Sequence, residues 1–354
     1  MSGGLAARTA LKSALGAARF RLTGHRAPLA VTLFLTHRCD SSCLNCGLPL
    51  SAVPELEPAE ILALLDHLAA QGTTRVNLTG GEPLLRDDLG AIIRRCVEHR
   101  FWTVLETNGH ALPARVHEFT GLYRVMVGLH GPQAVHDAVT EPGAFVKAVA
   151  GIDAARGAGL RVGTVTVLGK RTVDSLPWLL DFADAHHTEV VVQLPQTAGS
   201  LGTRAARREA ADSESIRRSL QFLLEAKLAG RAVAMTETTL RYLISWTDYA
   251  EASLALPHED LQCMAGQVSC VVDADGSVHA CTPRMGGGVG RDPSTTRNVR
   301  NDGFDAAFAG LRDPPCQACT DTACTESSFL YNLNTPAVIE AARTGIRSLI
   351  GANP

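Results

Sequence analysis

The sequence predicts an α/β protein with an open, mainly parallel sheet, and three observations carry that expectation. Short apolar runs alternate with longer stretches of helical period, the order that specifies a parallel sheet. About six such strand–helix pairs fit between residues 29 and 235, too few to close an eight-unit barrel. Beyond residue 261 the pattern gives way to a cysteine-rich stretch, so a chain of 354 residues is expected to hold one large unit and one smaller one.

The first strand is expected over Leu29–Thr36 (LAVTLFLT), an apolar run with β-branched residues. A helix near Pro58–Gln71 follows, with Pro58 in its first turn, Ile61, Leu64, Leu65 and Leu68 as its stripe and Gly72 as its stop. Further strands are expected near Arg75–Leu78, Trp102–Glu106, Tyr123–Val127, Arg161–Leu168 and Glu189–Leu194. Helices are expected near Asp87–His99, Gly143–Ala158, Asp174–His186 and Ser213–Ala229. The resulting division is a basic amino-terminal helix over 1–28, a barrel over 29–235, a helical linker over 236–260, a cysteine-rich domain over 261–332 and a carboxyl-terminal helix over 333–354.

From Met1 to Cys39 there is no acidic residue, while Arg8, Lys12, Arg19, Arg21, Arg26 and Arg38 are basic. Leu11, Leu15, Ala18 and Leu22 are expected to form one helix face opposite Arg8, Lys12 and Arg19. Three uses fit: packing across the base of the barrel, peripheral contact with a membrane or an acidic partner, and an Arg-rich transit peptide. Elsewhere the composition is ordinary. Net charge is −3 and aromatic content 5%, which gives no footprint for nucleic acid. Ten cysteines, with no secretory signal and no apolar run of membrane-spanning length, argue for metal ligation in a reducing, cytoplasmic compartment.

Cys39, Cys43 and Cys46 form CxxxCxxC just past the carboxyl end of the first strand, where α/β barrels place their active sites. Three thiolates so close can hold three irons of a [4Fe–4S] cube and leave the fourth iron without a protein ligand. The second strand ends directly in Thr79-Gly80-Gly81-Glu82-Pro83, so both motifs open onto one rim.

With these two motifs the chain resembles the radical S-adenosylmethionine (radical SAM) enzymes. The resemblance implies a partial (βα)6 radical SAM barrel, and a cluster whose open iron chelates the methionine end of SAM. It also implies a 5′-deoxyadenosyl radical that removes hydrogen from an unactivated C–H bond, and an external electron donor such as flavodoxin or ferredoxin. Gly80 and Gly81 are expected to let the backbone approach the methionine, and Glu82 to meet its amino group. Asn108, in Thr107-Asn108-Gly109, is a candidate SAM ligand, with a plain Asn-Gly turn as the alternative. Gly128 and His130 stand where many relatives with an auxiliary domain carry Ser and Asp, and Asn45 where an aromatic residue commonly packs on adenine.

The cysteine-rich segment sets Cys263, Gly276 and Cys281 around an expected hairpin of Val268–Val272 and Ser277–Ala280, followed by Cys316-Gln-Ala-Cys319 and Cys324. This resembles the auxiliary-cluster domains called SPASM and, in shorter form, twitch. The count implies one auxiliary [4Fe–4S] cluster on Cys263, Cys281, Cys316 and Cys319, with Cys324 as an alternative ligand; a four-cysteine zinc knuckle is the competing reading. Cys270 and Cys324 are candidate hydrogen donors to a substrate radical. Cys96 reads as a buried helix residue.

The expected function is radical SAM oxidation or epimerisation of a small, hydroxylated metabolite, as in the biosynthesis of aminocyclitol or sugar antibiotics. Alternatives are maturation of a ribosomal peptide or peptide-derived cofactor, GTP cyclisation of the molybdenum-cofactor type (from TGGEPLLRDDL), and a non-catalytic metal-binding scaffold. Roughly 28 residues before the first strand are too few for a peptide-recognition domain, which directs the reading to small molecules. His37, Arg38 and Asp40 flank the cluster loop and read either as groups that tune its potential or contact SAM or as solvated loop residues; Arg284 and Gln193 read as substrate-facing or ordinary polar positions, and His186-His187 as a helix-end or surface pair.

Overall fold

The structure, a computed structural model, describes residues 3–50, 52–196, 204–254, 258–259, 261–287, 296–311, 316–340 and 342. The helix α1 (Gly3–Thr23) precedes six strands that run parallel in chain order: β1 (Ala30–Phe34), β2 (Arg75–Thr79), β3 (Trp102–Thr107), β4 (Arg124–Gly128), β5 (Val162–Val167) and β6 (Glu189–Gln193). Between them lie α2 (Pro58–Ala70), α3 (Leu89–Glu98), α4 (Leu112–Arg115), α5 (Gln133–Val139), α6 (Ala144–Gly157) and α7 (Leu176–His186). After β6 come α8 (Arg204–Glu209), α9 (Ser213–Leu228), α10 (Glu237–Ser245), β7 (Ser253–Leu254), β8 (Ser269–Val272), β9 (Val278–His279), α11 (Val299–Asp302), α12 (Phe304–Ala309), β10 (Ala318–Cys319) and α13 (Thr322–Tyr331).

Strand alternation divides the sheet into two faces. In β3, Thr103, Leu105 and Thr107 are buried while Trp102, Val104 and Glu106 are only half-buried. Leu105 of the buried set belongs with Leu33, Leu65, Leu68, Ile92 and Val127 to the main core beneath the helices. The half-buried set lines the inner face. Register brings Thr79, Glu106 and Met126 to equivalent depth there, and Arg124 pairs with Glu189 at 2.6 Å nearer the strand starts.

The sheet order is β6-β5-β4-β3-β2-β1-β8-β9. The first strand of the cysteine-rich region expected over 261–332, β8, pairs in parallel with β1 and extends the barrel's own sheet. The physical reason is the edge of β1, whose N–H and C=O groups would otherwise lack strand partners. The carboxyl-terminal helix expected over 333–354 begins at residue 335, and 341 and 343–354 lie outside the described residues.

Helix α1 crosses the starts of the strands. The Ser13 and Thr74 hydroxyls are hydrogen-bonded at 2.7 Å, Gly16 lies against Leu29, and Ala17 joins Leu29, Met264, Val268 and Tyr331 in a second core cluster. Small residues allow this close approach. Of the uses that fit the leucine stripe, packing across the base of the barrel falls away for Leu11, Leu15 and Leu22, which are exposed.

Candidate functional site

The three cysteines of the first motif sit on the loop after β1, all with free thiols and all partly buried. Burial pushes the Cys39 thiol up to about 11 and the Cys43 thiol up to about 12, and raises Cys46 as well. A thiol so disfavoured as an anion needs a cation to hold its thiolate. The loop is tied down on both sides. Glu141 accepts from the Ser41 hydroxyl at 3.0 Å and the Ser42 N–H at 2.9 Å, and the Leu44 N–H donates to the Val139 carbonyl at 2.9 Å.

The glycine pair lies directly against this loop. The Gly81 N–H donates to the Thr36 carbonyl at 2.7 Å and the Glu82 N–H to the Arg38 carbonyl at 2.8 Å. A Cβ on Gly80, whose φ is +150°, would strike the Thr36 carbonyl oxygen, and one on Gly81 would strike that of Arg38. The close approach that requires glycine here is therefore made to the cysteine loop itself, a neighbour the sequence reading did not assign.

Glu82 is 1% exposed. One carboxylate oxygen accepts from the Leu84 N–H at 2.9 Å and the Thr107 hydroxyl at 2.8 Å, and the other from the Asn108 N–H at 2.7 Å. Burial outweighs these donors and raises its carboxyl to about 7. No cation pairs with it among the described residues, and its second oxygen keeps an acceptor position. Asn108 stands beside it, its amide N–H donating to Asp40 at 2.7 Å and Ser41 at 3.3 Å. The strand-end residues thus brace the cysteine loop as well as facing the rim.

Next along the rim, His130 and His136 stack with ring centroids 5.4 Å apart. Burial lowers them to about 3 and about 4, respectively, so both rings are neutral near pH 7.

Sequence reasoning missed Glu106 and left His37 between a role at the cluster loop and a solvated loop residue. His37 is 5% exposed, and its Nε2 lies 2.7 Å from a carboxylate oxygen of Asp273 in the β8–β9 turn, so it is no solvated loop residue. Glu106, on the inner face, accepts from Asn77 at 2.9 Å and Thr79 at 3.0 Å. Its only signal was a charged residue at an inward position of an otherwise apolar strand.

In the second region five cysteines gather. The Cys324 thiol is raised by hydrogen bonds with Cys281 and Cys319 and by burial; Cys263, pushed up to about 12 mainly by burial, also feels Cys319, Cys281 and Cys316. Arg284 hydrogen-bonds Cys316, which places it at this group. Cys324 opens α13, its N–H donating to Asp321 at 2.8 Å, and Gln196 reaches the same carboxylate at 2.7 Å. Cys270 takes no part. It is 3% exposed on the helix-side face of β8, in the main core, so the structure removes it as a donor to a substrate on the inner face. Cys96 is likewise buried in the core.

Among the described residues no three His, Cys, Asp or Glu side chains are spaced to hold a single metal ion. The fit to iron–sulfur groups rests on the donor chemistry: free thiols only, three on one braced loop and five converging elsewhere, with burial raising the thiols of Cys39, Cys43, Cys46, Cys263 and Cys316.

Residues 33–183 match the family model of the radical SAM superfamily. Among curated relatives, the chain is 34% identical to GTP 3′,8-cyclase of Marinobacter nauticus over 45% of its own length, spanning about half (52%) of that protein. It is 28% identical to pre-heme d1 synthase of Dinoroseobacter shibae over 82% of this chain and 78% of that one. It is 26% identical to mycofactocin maturase MftC of Mycobacterium tuberculosis over 84% of this chain and 76% of that one. Among solved structures, SuiB of Streptococcus suis bound to S-adenosylmethionine superposes with a TM-score of 0.63 at 14% identity, covering 84% of this chain and 69% of SuiB, a likeness of fold.

Proposed function

Because this chain carries a radical SAM domain followed by a SPASM/twitch-like cysteine-rich region, we propose that it matures a peptide, abstracting hydrogen from a C–H bond of a ribosomal precursor or peptide-derived cofactor. The observation that carries this reading is the extent of the likeness to MftC, 320 residues through both regions, whereas the likeness to GTP 3′,8-cyclase stops at 173 residues. The PqqA peptide cyclase of Granulibacter bethesdensis, 32% identical over 171 residues, supports the same class. A second reading, action on a haem precursor, is favoured by the 318-residue likeness to pre-heme d1 synthase.

The cofactors are a [4Fe–4S] cluster with an open iron site, SAM, and an auxiliary [4Fe–4S] cluster, and with SAM bound they supply a 5′-deoxyadenosyl radical. In this proposal Cys39, Cys43 and Cys46 hold the first cluster, while Cys263, Cys281, Cys316, Cys319 and Cys324 provide the donors for the second. Glu82 offers its remaining acceptor position to SAM's amino group, and Gly80 and Gly81 fix the loop against which SAM lies. The sheet is not closed on itself, its order running from β6 to β9, and Asn77, Thr79 and Glu106 supply hydrogen-bonding groups on its inner face.

The sugar or aminocyclitol reading, with epimerisation and antibiotic biosynthesis, draws no support from these relatives. It rested on the lack of a recognition domain before the first strand, and an absence of that kind does not select a substrate.

The test is anaerobic incubation of the reconstituted protein with reductant, SAM and three substrate sets: precursor peptides, porphyrin precursors and amino sugars. Peptides should raise 5′-deoxyadenosine formation and emerge changed in mass. Stimulation by porphyrins or sugars alone would overturn the peptide reading.

A further inference from the structure

Three of the large apolar side chains that stay exposed lie on one face of α1: Leu11 at 61%, Leu15 at 62% and Leu22 at 84%. Each follows a basic residue by three positions, giving Arg8–Leu11, Lys12–Leu15 and Arg19–Leu22, and residues three apart are neighbours on a helix surface. A leucine row therefore runs beside the cationic row rather than on the opposite face expected from the sequence, and both point away from the barrel. The inner face is already occupied through Thr9, Ser13, Gly16 and Ala17, so α1 cannot turn its leucines inward without giving up those contacts.

The basic residues of this segment divide by role. Arg21 bonds to Asn332 at 2.7 Å and Arg26 to the carbonyls of Phe308 and Leu311, which are structural uses. Arg8, Lys12 and Arg19 form no ion pair with any described residue. No acid occurs before Asp40, although Asp and Glu (36) outnumber Lys and Arg (33) in the whole chain. The outer face of α1 thus carries cations with no acid in its own segment.

We infer that the outer face of α1 is a docking surface for an anionic lipid bilayer, its leucines entering the interface and Arg8, Lys12 and Arg19 meeting the headgroup phosphates. An interfacial helix needs this pairing of apolar and cationic rows, and basic side chains are drawn to anionic leaflets. A protein partner of ordinary stability needs a far broader complementary patch than one narrow stripe. No helix among the described residues is long and apolar enough to span a membrane, and α1 would lie flat. The rim, at the opposite ends of the strands, stays open while the base is docked. The inference is independent of the substrate reading.

The experiment is flotation of the full reconstituted chain with phosphatidylglycerol-containing vesicles, beside neutral phosphatidylcholine vesicles. The chain should float with the anionic vesicles, remain below with the neutral ones and be released by high salt. The triple variant Leu11→Ser, Leu15→Ser, Leu22→Ser should lose binding about tenfold or more, with iron content and basal SAM cleavage unchanged to show that it folds. Arg8→Gln, Lys12→Gln, Arg19→Gln should weaken binding and remove its salt dependence. No flotation with anionic vesicles, equal flotation of the leucine variant, or a self-association that the leucine variant abolishes would each overturn the inference, the last by assigning the face to a second copy of the chain.

Discussion

Glu82 combines near-complete burial with three neutral donors and no cation, and its consequences can be measured. Its carboxyl is raised to about 7 by burial, so the folded state holds a proton that the unfolded state has lost above its ordinary range. Stability from this group is full below the unfolded pKa and is lost as pH rises toward 7, a change on the order of 3 kcal/mol. Urea unfolding of SAM-free protein between about pH 5 and 7 should show a shallower decline in Glu82→Gln than in the unmodified chain. SAM affinity should move the other way, rising with pH through about 7 as the carboxylate ionises, and Glu82→Gln should bind SAM about ten- to a hundredfold more weakly and without that pH dependence. Unchanged SAM binding in that variant would remove Glu82 from the SAM site. Gly81→Val should disrupt the cysteine loop and lower iron retention, because its Cβ meets the Arg38 carbonyl. Iron content after desalting reads this directly. The cysteine motif and its glycine neighbours were legible because their chemistry lies in short spacings. The pairing of His37 with Asp273 was not, since 236 residues separate them.

Among the elements, the parallel strands were legible from apolar runs and the helices from their stripes, with differences of a residue or two at the ends. The helix α5 was not singled out, as its seven residues are too few to show a period. The hairpin was foreseen from Asp275-Gly276, but its pairing with β1 depends on a strand edge made by the other end of the chain. That pairing decides the fate of two cysteines. Cys270 faces the helix-side core, so Cys270→Ala should cost roughly 1 kcal/mol of stability while iron content and SAM cleavage persist. Cys324 touches Cys281 and Cys319, so Cys324→Ala should lower the iron bound by the second region. Full iron in Cys324→Ala would return that residue to the role of a free thiol.

For the molecule as a whole, two clusters of four irons predict about eight irons per chain after anaerobic reconstitution. Replacing Cys39, Cys43 and Cys46 together with Ala should leave about four and abolish SAM cleavage. A value near four in the unmodified protein would mean that only one region assembles a cluster.

The parallel pairing of Ala30 with Ser269 also bears on how the chain acquires its shape. The strand that precedes the cysteine loop is laid down among the first residues, yet one of its two neighbours emerges only when three-quarters of the polypeptide has been made. Contacts of such long range close slowly. Until then β1 is a bare edge next to unmetallated thiols, exposed to misassociation with other nascent chains. A version ending at residue 260 keeps all six barrel strands and should nonetheless aggregate on expression, whereas supplying residues 261–354 as a separate polypeptide should recover part of it in soluble form. Ribosome-bound intermediates of increasing length, probed by limited proteolysis, should show β1 becoming protected only after residue 272 has cleared the exit tunnel. Metal loading of the first loop would then be timed by the synthesis of the last quarter of the protein.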